Sequence, residues 1–189
     1  MRSSKELRRH ALGYPSCVTI RTERMTLEPA PEAFIRALDA CDRAAAARAL
    51  DLRIEGDWFD GPADWLKLRV RQLTEDPALA SWLVHVMVLS DGSRLMVGHC
   101  GYHGRPDDTG MVEVGYQVGQ PYRRRGYAIE SARGLIDNAF AHPEVTRVRA
   151  SISPENVASL GLVAKLGFVR VGEQIDEVDG LEHLFELAR

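Results

Sequence analysis

Apolar and polar residues alternate along 22–28 (Thr-Glu-Arg-Met-Thr-Leu-Glu), the period of a half-buried strand, and the run stops at Pro29, which cannot donate to a ladder. The pattern then changes to a helical one. Phe34, Ile35, Leu38, Ala45, Ala49 and Leu50 recur at mixed three- and four-residue steps, which predicts one or two helices over 31–52, with Asp39 or Asp42 capping the second. Glu55-Gly56-Asp57-Trp58-Phe59-Asp60-Gly61-Pro62 has the makeup of an exposed loop, apart from its two adjacent aromatics. Pro62 can open the next helix, which carries Trp65, Leu66, Leu68, Val70 and Leu73 and runs to about Thr74.

Residues 81–89 are dense in strand formers and lead into Asp91-Gly92, a hairpin signal, after which 94–102 returns as a second strand. A turn at 107–110 leads to a third, 111–118, whose alternation puts Met111, Glu113, Gly115 and Gln117 on one face and Val112, Val114, Tyr116 and Val118 on the other. Ala128, Ile129, Ala132, Leu135, Ile136, Ala139 and Phe140 then give a helix one apolar face over 126–140, ended by His142-Pro143. A strand over 145–152 follows, then a short helix carrying Val157, Leu160, Val163, Ala164 and Leu166 and stopped by Gly167, then strands over 168–174 and 183–187 around Asp179-Gly180. This order implies an α/β (α+β) fold, with an antiparallel meander in the middle of the chain and helices on both faces of one central sheet. Residues 1–20 read as an arm and 21–189 as one domain.

Composition narrows the partners more than the fold. The chain has 189 residues, 45% of them hydrophobic, long enough for one sizeable core. Its 24 basic side chains nearly balance 27 acidic ones for a formal charge of −3, which disfavours a nucleic-acid partner. Cys17, Cys41 and Cys100 are widely spaced, suggesting neither a disulfide framework nor a zinc knuckle. The polar start lacks the apolar core of a signal peptide, and no apolar run reaches transmembrane length, so a soluble, cytoplasmic protein with no membrane partner is expected. His85, His99 and His103 have no accompanying carboxylate or Cys cluster and read as core or rim histidines, so no metal is expected.

The chemistry concentrates where the 111–118 strand turns through Gly119-Gln120-Pro121-Tyr122-Arg123-Arg124-Arg125-Gly126 into the helix beginning Tyr127-Ala128. The helix N-terminus presents backbone N–H groups without intrahelical partners and roughly half a positive charge, Gly126 allows close approach, and Arg123, Arg124 and Arg125 add mobile positive charge. A phosphate or pyrophosphate suits such a turn. Neither a GxxxxGK[ST] loop nor GxGxxG is present.

Arg123-x-x-Gly126-x-Ala128 resembles the acyl-CoA-binding signature [Q/R]-x-x-G-x-[G/A] of the GNAT superfamily of N-acetyltransferases. Glu113-Val114-Gly115-Tyr116, Glu155-Asn156-Val157-Ala158-Ser159, Leu166-Gly167-Phe168 and Thr22-x-Arg24-Met25-x-Leu27 are similar to elements of the branch that acetylates ribosomal-protein N-termini, spermidine and some antibiotics. The resemblance spans about residues 20–187. It implies a mixed, mostly antiparallel central sheet whose fourth and fifth strands splay apart, with the pantetheine arm of acetyl-CoA between them. Gln117, Val118 and Gly119 would supply backbone groups to pantetheine and the thioester, and Arg123 to Ala128, Tyr127 included, would hold the pyrophosphate.

The resemblance also implies an acetyl transfer to a primary amine by direct attack, with Glu113 as base. Asn156 caps a helix, contacts the pantetheine region, or does both. Ser159 is a candidate donor to the departing sulfur. Where many relatives carry a Tyr acid this chain has Val163, so Ser159, Tyr127, Tyr116 or water protonates the thiolate, or it leaves as the anion, since a thiol of pKa ~8.5 is a tolerable leaving group. Asp57, Trp58, Phe59 and Asp60 fall where the family shapes its acceptor pocket. The acceptor stays open among peptide N-termini, amino acids, polyamines and antibiotics, and a non-catalytic CoA-sensing module on the same fold is the alternative. A homodimer is the expectation for any soluble assembly.

Overall fold

The computed structural model describes residues 18–56 and 64–189. Eight strands form one sheet: β1 (Ile20–Arg21), β2 (Met25–Pro29), β3 (Val84–Leu89), β4 (Met96–Tyr102), β5 (Met111–Val118), β6 (Arg147–Ile152), β7 (Val169–Asp176) and β8 (Gly180–Ala188). Their order across the sheet is β1-β2-β3-β4-β5-β6-β8-β7. Every neighbouring pair is antiparallel except β5 and β6, which run parallel and are joined by the crossover helix α4 (Tyr127–Phe140). The antiparallel meander is the one the sequence pattern predicts, and the mixed, mostly antiparallel sheet is the one the family resemblance implies.

Both faces are covered. On one, α1 (Glu32–Asp39), α2 (Arg43–Leu50) and α3 (Asp64–Glu75) bury Phe34, Ile35, Leu38 and Leu66 against Val86, Val88 and Met96. On the other, α4 and α5 (Val157–Lys165) bury Leu135, Ile136 and Val163 against Met87, Val112, Val114 and Val148. The strands alternate between these two layers with period two. Tyr102 ties layer to sheet: its buried hydroxyl donates to Leu135 O at 2.6 Å and accepts from Asn138 Nδ2 at 3.0 Å.

The expected elements are found, with local differences. Asp42, not Asp39, caps α2, its side chain accepting from Ala45 N at 2.8 Å. The first expected strand is split into a hairpin, because Thr22 folds back on Met25: Thr22 N donates to Met25 O at 2.9 Å and Thr22 Oγ1 accepts from Met25 N at 3.2 Å. Residues Pro77–Trp82 wind into a 3₁₀ turn instead of starting the next strand, with the Asp76 side chain accepting from Ala78 N ahead of Pro77. The last two strands are longer than expected, their turn closed by Asp176, which accepts from Val178 N and Asp179 N. Pro62 and the aromatics Trp58 and Phe59 lie outside the described residues.

His85 is 1% exposed, and burial pushes its pKa down to about 4 despite a contact from Nδ1 to Leu83 O at 3.2 Å. An unfolded histidine titrates near 6.5, so between these values the unfolded chain binds a proton that the folded chain refuses. Stability should therefore be full above about pH 6.5 and fall as the pH drops toward 4, with a loss from His85 approaching roughly 3 kcal/mol. In urea titrations from pH 7 to 4.5, His85→Leu should flatten this slope; parallel profiles for the two proteins would contradict it.

Candidate active site

The parallel pair that closes the two halves of the sheet is short. Met111, Val112 and Glu113 pair with Arg147, Val148 and Arg149, and there the pairing stops while β5 runs on to Val118 and β6 to Ile152. The two strands part into a wedge. On its other edge β5 stays paired with β4 as far as Val118 opposite Gly98, and Gly119 N donates to Val97 O at 2.9 Å. In an antiparallel ladder alternate residues face the partner, so Gln117 and Gly119 turn their amides toward β4 while Tyr116 and Val118 present theirs to the wedge.

Two side chains on the diverging strands have buried polar atoms without partners, one on each face of the sheet: Tyr116 Oη on the α4 and α5 side and Ser151 Oγ on the side of Glu113. Buried hydroxyls are normally satisfied, so each orphan marks a polar group beside the wedge that is open to a ligand. The Tyr116 phenol is pushed above its usual pKa by burial, an effect partly offset by Ser159, which lies against it without the geometry of a formed hydrogen bond.

β5 ends in a 3₁₀ turn, Gln120–Tyr122, followed by the three arginines. Arg123 turns back so that Nε donates to Val118 O at 3.0 Å, which fixes the turn to the end of the strand. Arg124 takes φ 63° and Gly126 φ 84°, so the backbone reverses hand within a few residues and aims successive N–H groups to one side. Gly126 is the N-cap of α4 and no side chain caps it, leaving the first N–H groups of the helix, those of Tyr127 and Ala128 included, free for an anion. Arg123, Arg124 and Arg125 form no ion pair among the described residues; Arg125 Nη2 reaches only Pro121 O at 3.3 Å.

The turn is braced from behind by the first hairpin. Thr22 Oγ1 and Arg24 N both donate to Glu130 Oε1 at 2.7 Å, and Arg24 Nε donates to Oε2 at 2.7 Å. Arg24 also gives Nη1 to Arg125 O at 2.9 Å and stacks its guanidinium 4.8 Å from the Tyr127 ring centre. A Cβ on Gly126 would meet Arg24 Nη2 at 3.2 Å, so this position is tight as well as left-handed. The Thr22-x-Arg24 pattern was legible as a strand motif, yet nothing local in the sequence names Glu130 as its partner.

Glu113, Gly115 and Gln117 face the α3 side of the sheet. Glu113 Oε1 is 3.5 Å from His103 Nδ1, and Gly115 leaves room for that ring, since a Cβ there would meet His103 Nε2 at 3.1 Å. His99, opposite Gln117, is enclosed between its neighbours; burial pushes its pKa down to about 4, against a smaller upward pull from a hydrogen bond with the Gln117 side chain. His85 is therefore a core histidine and His103 a rim one. Among the described residues no group of three His, Cys, Asp or Glu side chains could hold a metal ion, and no helix is long and apolar enough to cross a membrane.

Asn156 caps α5, its side chain accepting from Ser159 N at 3.1 Å, which aims the first turn of the helix and holds Ser159 beside Tyr116. Val163 is 1% exposed and packs in the core. Asp57, Trp58, Phe59 and Asp60, expected near an acceptor pocket, lie outside the described residues.

The acetyltransferase (GNAT) domain family matches residues 24–169. YjdG, an uncharacterised N-acetyltransferase of Bacillus subtilis, is 28% identical over 157 residues, 80% of this chain and 90% of that protein. A ribosomal-protein alanine acetyltransferase from Vibrio fischeri superposes with a TM-score of 0.60 at 18% identity, over 90% of this chain and 96% of the other. An aminoglycoside acetyltransferase in complex with coenzyme A and kanamycin gives 0.57 at 19% identity, over 87% and 95%.

Burial raises the Glu130 pKa, but the bonds from Thr22 and Arg24 outweigh it and hold it below the usual carboxylate value of 4.5. The brace thus contributes above that pH and is lost as the pH falls through the depressed value. At pH 7, Glu130→Ala should cost roughly 1.5–3 kcal/mol, the range for hydrogen bonds to charged groups. Denaturant midpoints of the two proteins should converge as the pH is lowered below 4.5; a gap that persists at acid pH would contradict the brace.

Proposed function

The chain belongs to the acetyltransferase (GNAT) family of acetyl-CoA-dependent acyltransferases, and we propose that it moves the acetyl group to a primary amine by direct attack in a ternary complex, with Glu113 as base. The observation that carries this reading is the wedge between β5 and β6, with an uncapped, arginine-rich helix start at its mouth and an orphaned hydroxyl beside it on each face of the sheet. Acetyl-CoA has matching parts. Its thioester and amide-bearing arm suit the wedge, and its pyrophosphate suits Arg123 to Ala128.

The residues divide the proton work between the two faces of the sheet. An amine must lose a proton to attack, and Glu113, beside His103 on the α3 side, accepts it directly or through water. As the new N–C bond forms and the C–S bond breaks, the sulfur leaves on the other face, where Tyr116 and Ser159 lie together near the start of α5. Tyr116 is the better placed proton donor, because its hydroxyl has no competing partner. The backbone of Tyr116 and Val118 hydrogen bonds the arm, and Asn156 orders the helix start that keeps Ser159 beside the phenol. The acceptor is a small-molecule or peptide amine; relatives range over aminoglycoside and ribosomal-protein acetyltransferases, so family membership leaves its class open.

Acetyl-CoA at a hundred times its Kd should stabilise the folded state by about 2.7 kcal/mol, a shift of several degrees in Tm. No shift at millimolar acetyl-CoA sinks the proposal, whereas a shift with no thiol release across a panel of amines and peptides would favour a CoA-sensing module. Glu113→Gln should lower kcat/KM by roughly 10²- to 10⁴-fold; unchanged kcat/KM over the pH range would remove Glu113 from the role. Tyr116→Phe should lower kcat without lowering the apo-protein's Tm, because it deletes an unsatisfied buried hydroxyl. If the substitution destabilises the protein and spares kcat, that hydroxyl is structural.

A further inference from the structure

Helix α3 turns a polar stripe toward the same face of the sheet as Glu113. Trp65 stacks on His99 with ring centres 5.3 Å apart and planes 29° apart. One turn further along, Arg69 Nη1 donates to Gln72 Oε1 at 2.8 Å and makes a long contact of 3.4 Å with the backbone O of His103. Both acceptors are neutral. Four other arginines around this helix bundle have carboxylate partners: Arg36 with Glu32, Arg71 with Glu75, Arg94 with Glu28 and Arg105 with Asp76. Arg69 has no carboxylate partner among the described residues, and its burial without one lowers its pKa.

A half-buried cation lacking a counter-charge is costly, and a guanidinium offers five N–H donors in a fork shaped for a carboxylate. Its place gives that fork a use. His103 touches Arg69 through its backbone oxygen and lies 3.5 Å from Glu113 through its ring, so a fixed positive group and the base stand on either side of one residue. An amine that also carries a carboxylate a few bonds away would match both. A polyamine or aminoglycoside, cationic throughout, would be repelled by Arg69.

We propose that Arg69 binds a carboxylate of the acceptor and that the acceptor is therefore an amino acid. The inference rests on the preceding assignment of Glu113 to the reacting amine. It makes Arg69 a specificity residue that touches the substrate away from the bond being made, and it explains why the charge is kept on a helix face that otherwise packs against the sheet.

Matched acceptor pairs that differ by the carboxylate alone test this: phenylalanine with phenethylamine, tyrosine with tyramine, lysine with cadaverine. For wild-type protein, kcat/KM from thiol release should favour the carboxylated member of at least one pair by roughly 10- to 100-fold, the worth of a charge-assisted hydrogen bond or two. In Arg69→Gln that ratio should fall toward one, mainly through KM, and Arg69→Lys should recover part of it. Equal rates within every pair, or a preference for the decarboxylated amine, overturn the proposal. Should no acceptor release thiol, the transferase reading fails separately, and calorimetry still decides this one. N-acetylated amino acids should bind the CoA-loaded protein and lose affinity in Arg69→Gln; absent binding, or binding indifferent to the substitution, overturns it.

Discussion

The fold depends on one incomplete strand pairing. A parallel pair ordinarily satisfies the inner edges of both strands along their length, and here β5 and β6 do so for three residues before they separate. Beyond Glu113 the inner edge of β5 carries amides that face a gap, which is an expensive arrangement for backbone in a folded interior. The sheet tolerates it because each strand is fully paired on its other side, β5 with β4 and β6 with β8. The wedge is thus held open by two half-sheets, each paired along its outer edge, not by a flexible loop.

The same logic links the slot to the turn at its mouth. Arg123 to Arg125 gather positive charge next to a helix N-terminus that is already positive, and such a cluster would repel itself open without support. Thr22 and Arg24 supply it by gripping Glu130 one turn into α4. Arg24 also bonds Arg125 O, so the edge hairpin, the turn and the crossover helix form one unit. The left-handed backbone at Arg124 and Gly126 is then a consequence of a fixed exit from β5 and a fixed entry to α4.

Much of this was legible in the sequence because it is local. The alternation of β5 placed Glu113 and Gln117 opposite Val112 and Val114, as found, and the helix ends at Gly126 and Gly167 followed from residues that permit a left-handed turn. What escaped is tertiary. No spacing rule connects Thr22 to Glu130, Tyr116 to Ser159, or Arg69 to His103, since each pair is joined by the order of strands in the sheet. Backbone direction escaped too: Gln117, Val118 and Gly119 were expected to act together, yet the bond from Gly119 N to Val97 O turns the first and third toward β4 and leaves Val118 and Tyr116 at the wedge. Only burial and contacts separate the donors that the sequence left open in place of the Tyr that Val163 replaces: Val163 is in the core and the Tyr116 hydroxyl is buried without a partner.

Amide-resolved hydrogen exchange with and without coenzyme A addresses the central claim most directly. If the wedge and turn hold the ligand through free backbone groups, the amides of Tyr116 and Val118, and those opening α4 from Gly126 onward, should slow sharply on binding. Those of Gln117 and Gly119, already bonded to β4, should change little. Protection that appears at Gln117 and Gly119, or that spares the start of α4, would contradict the account.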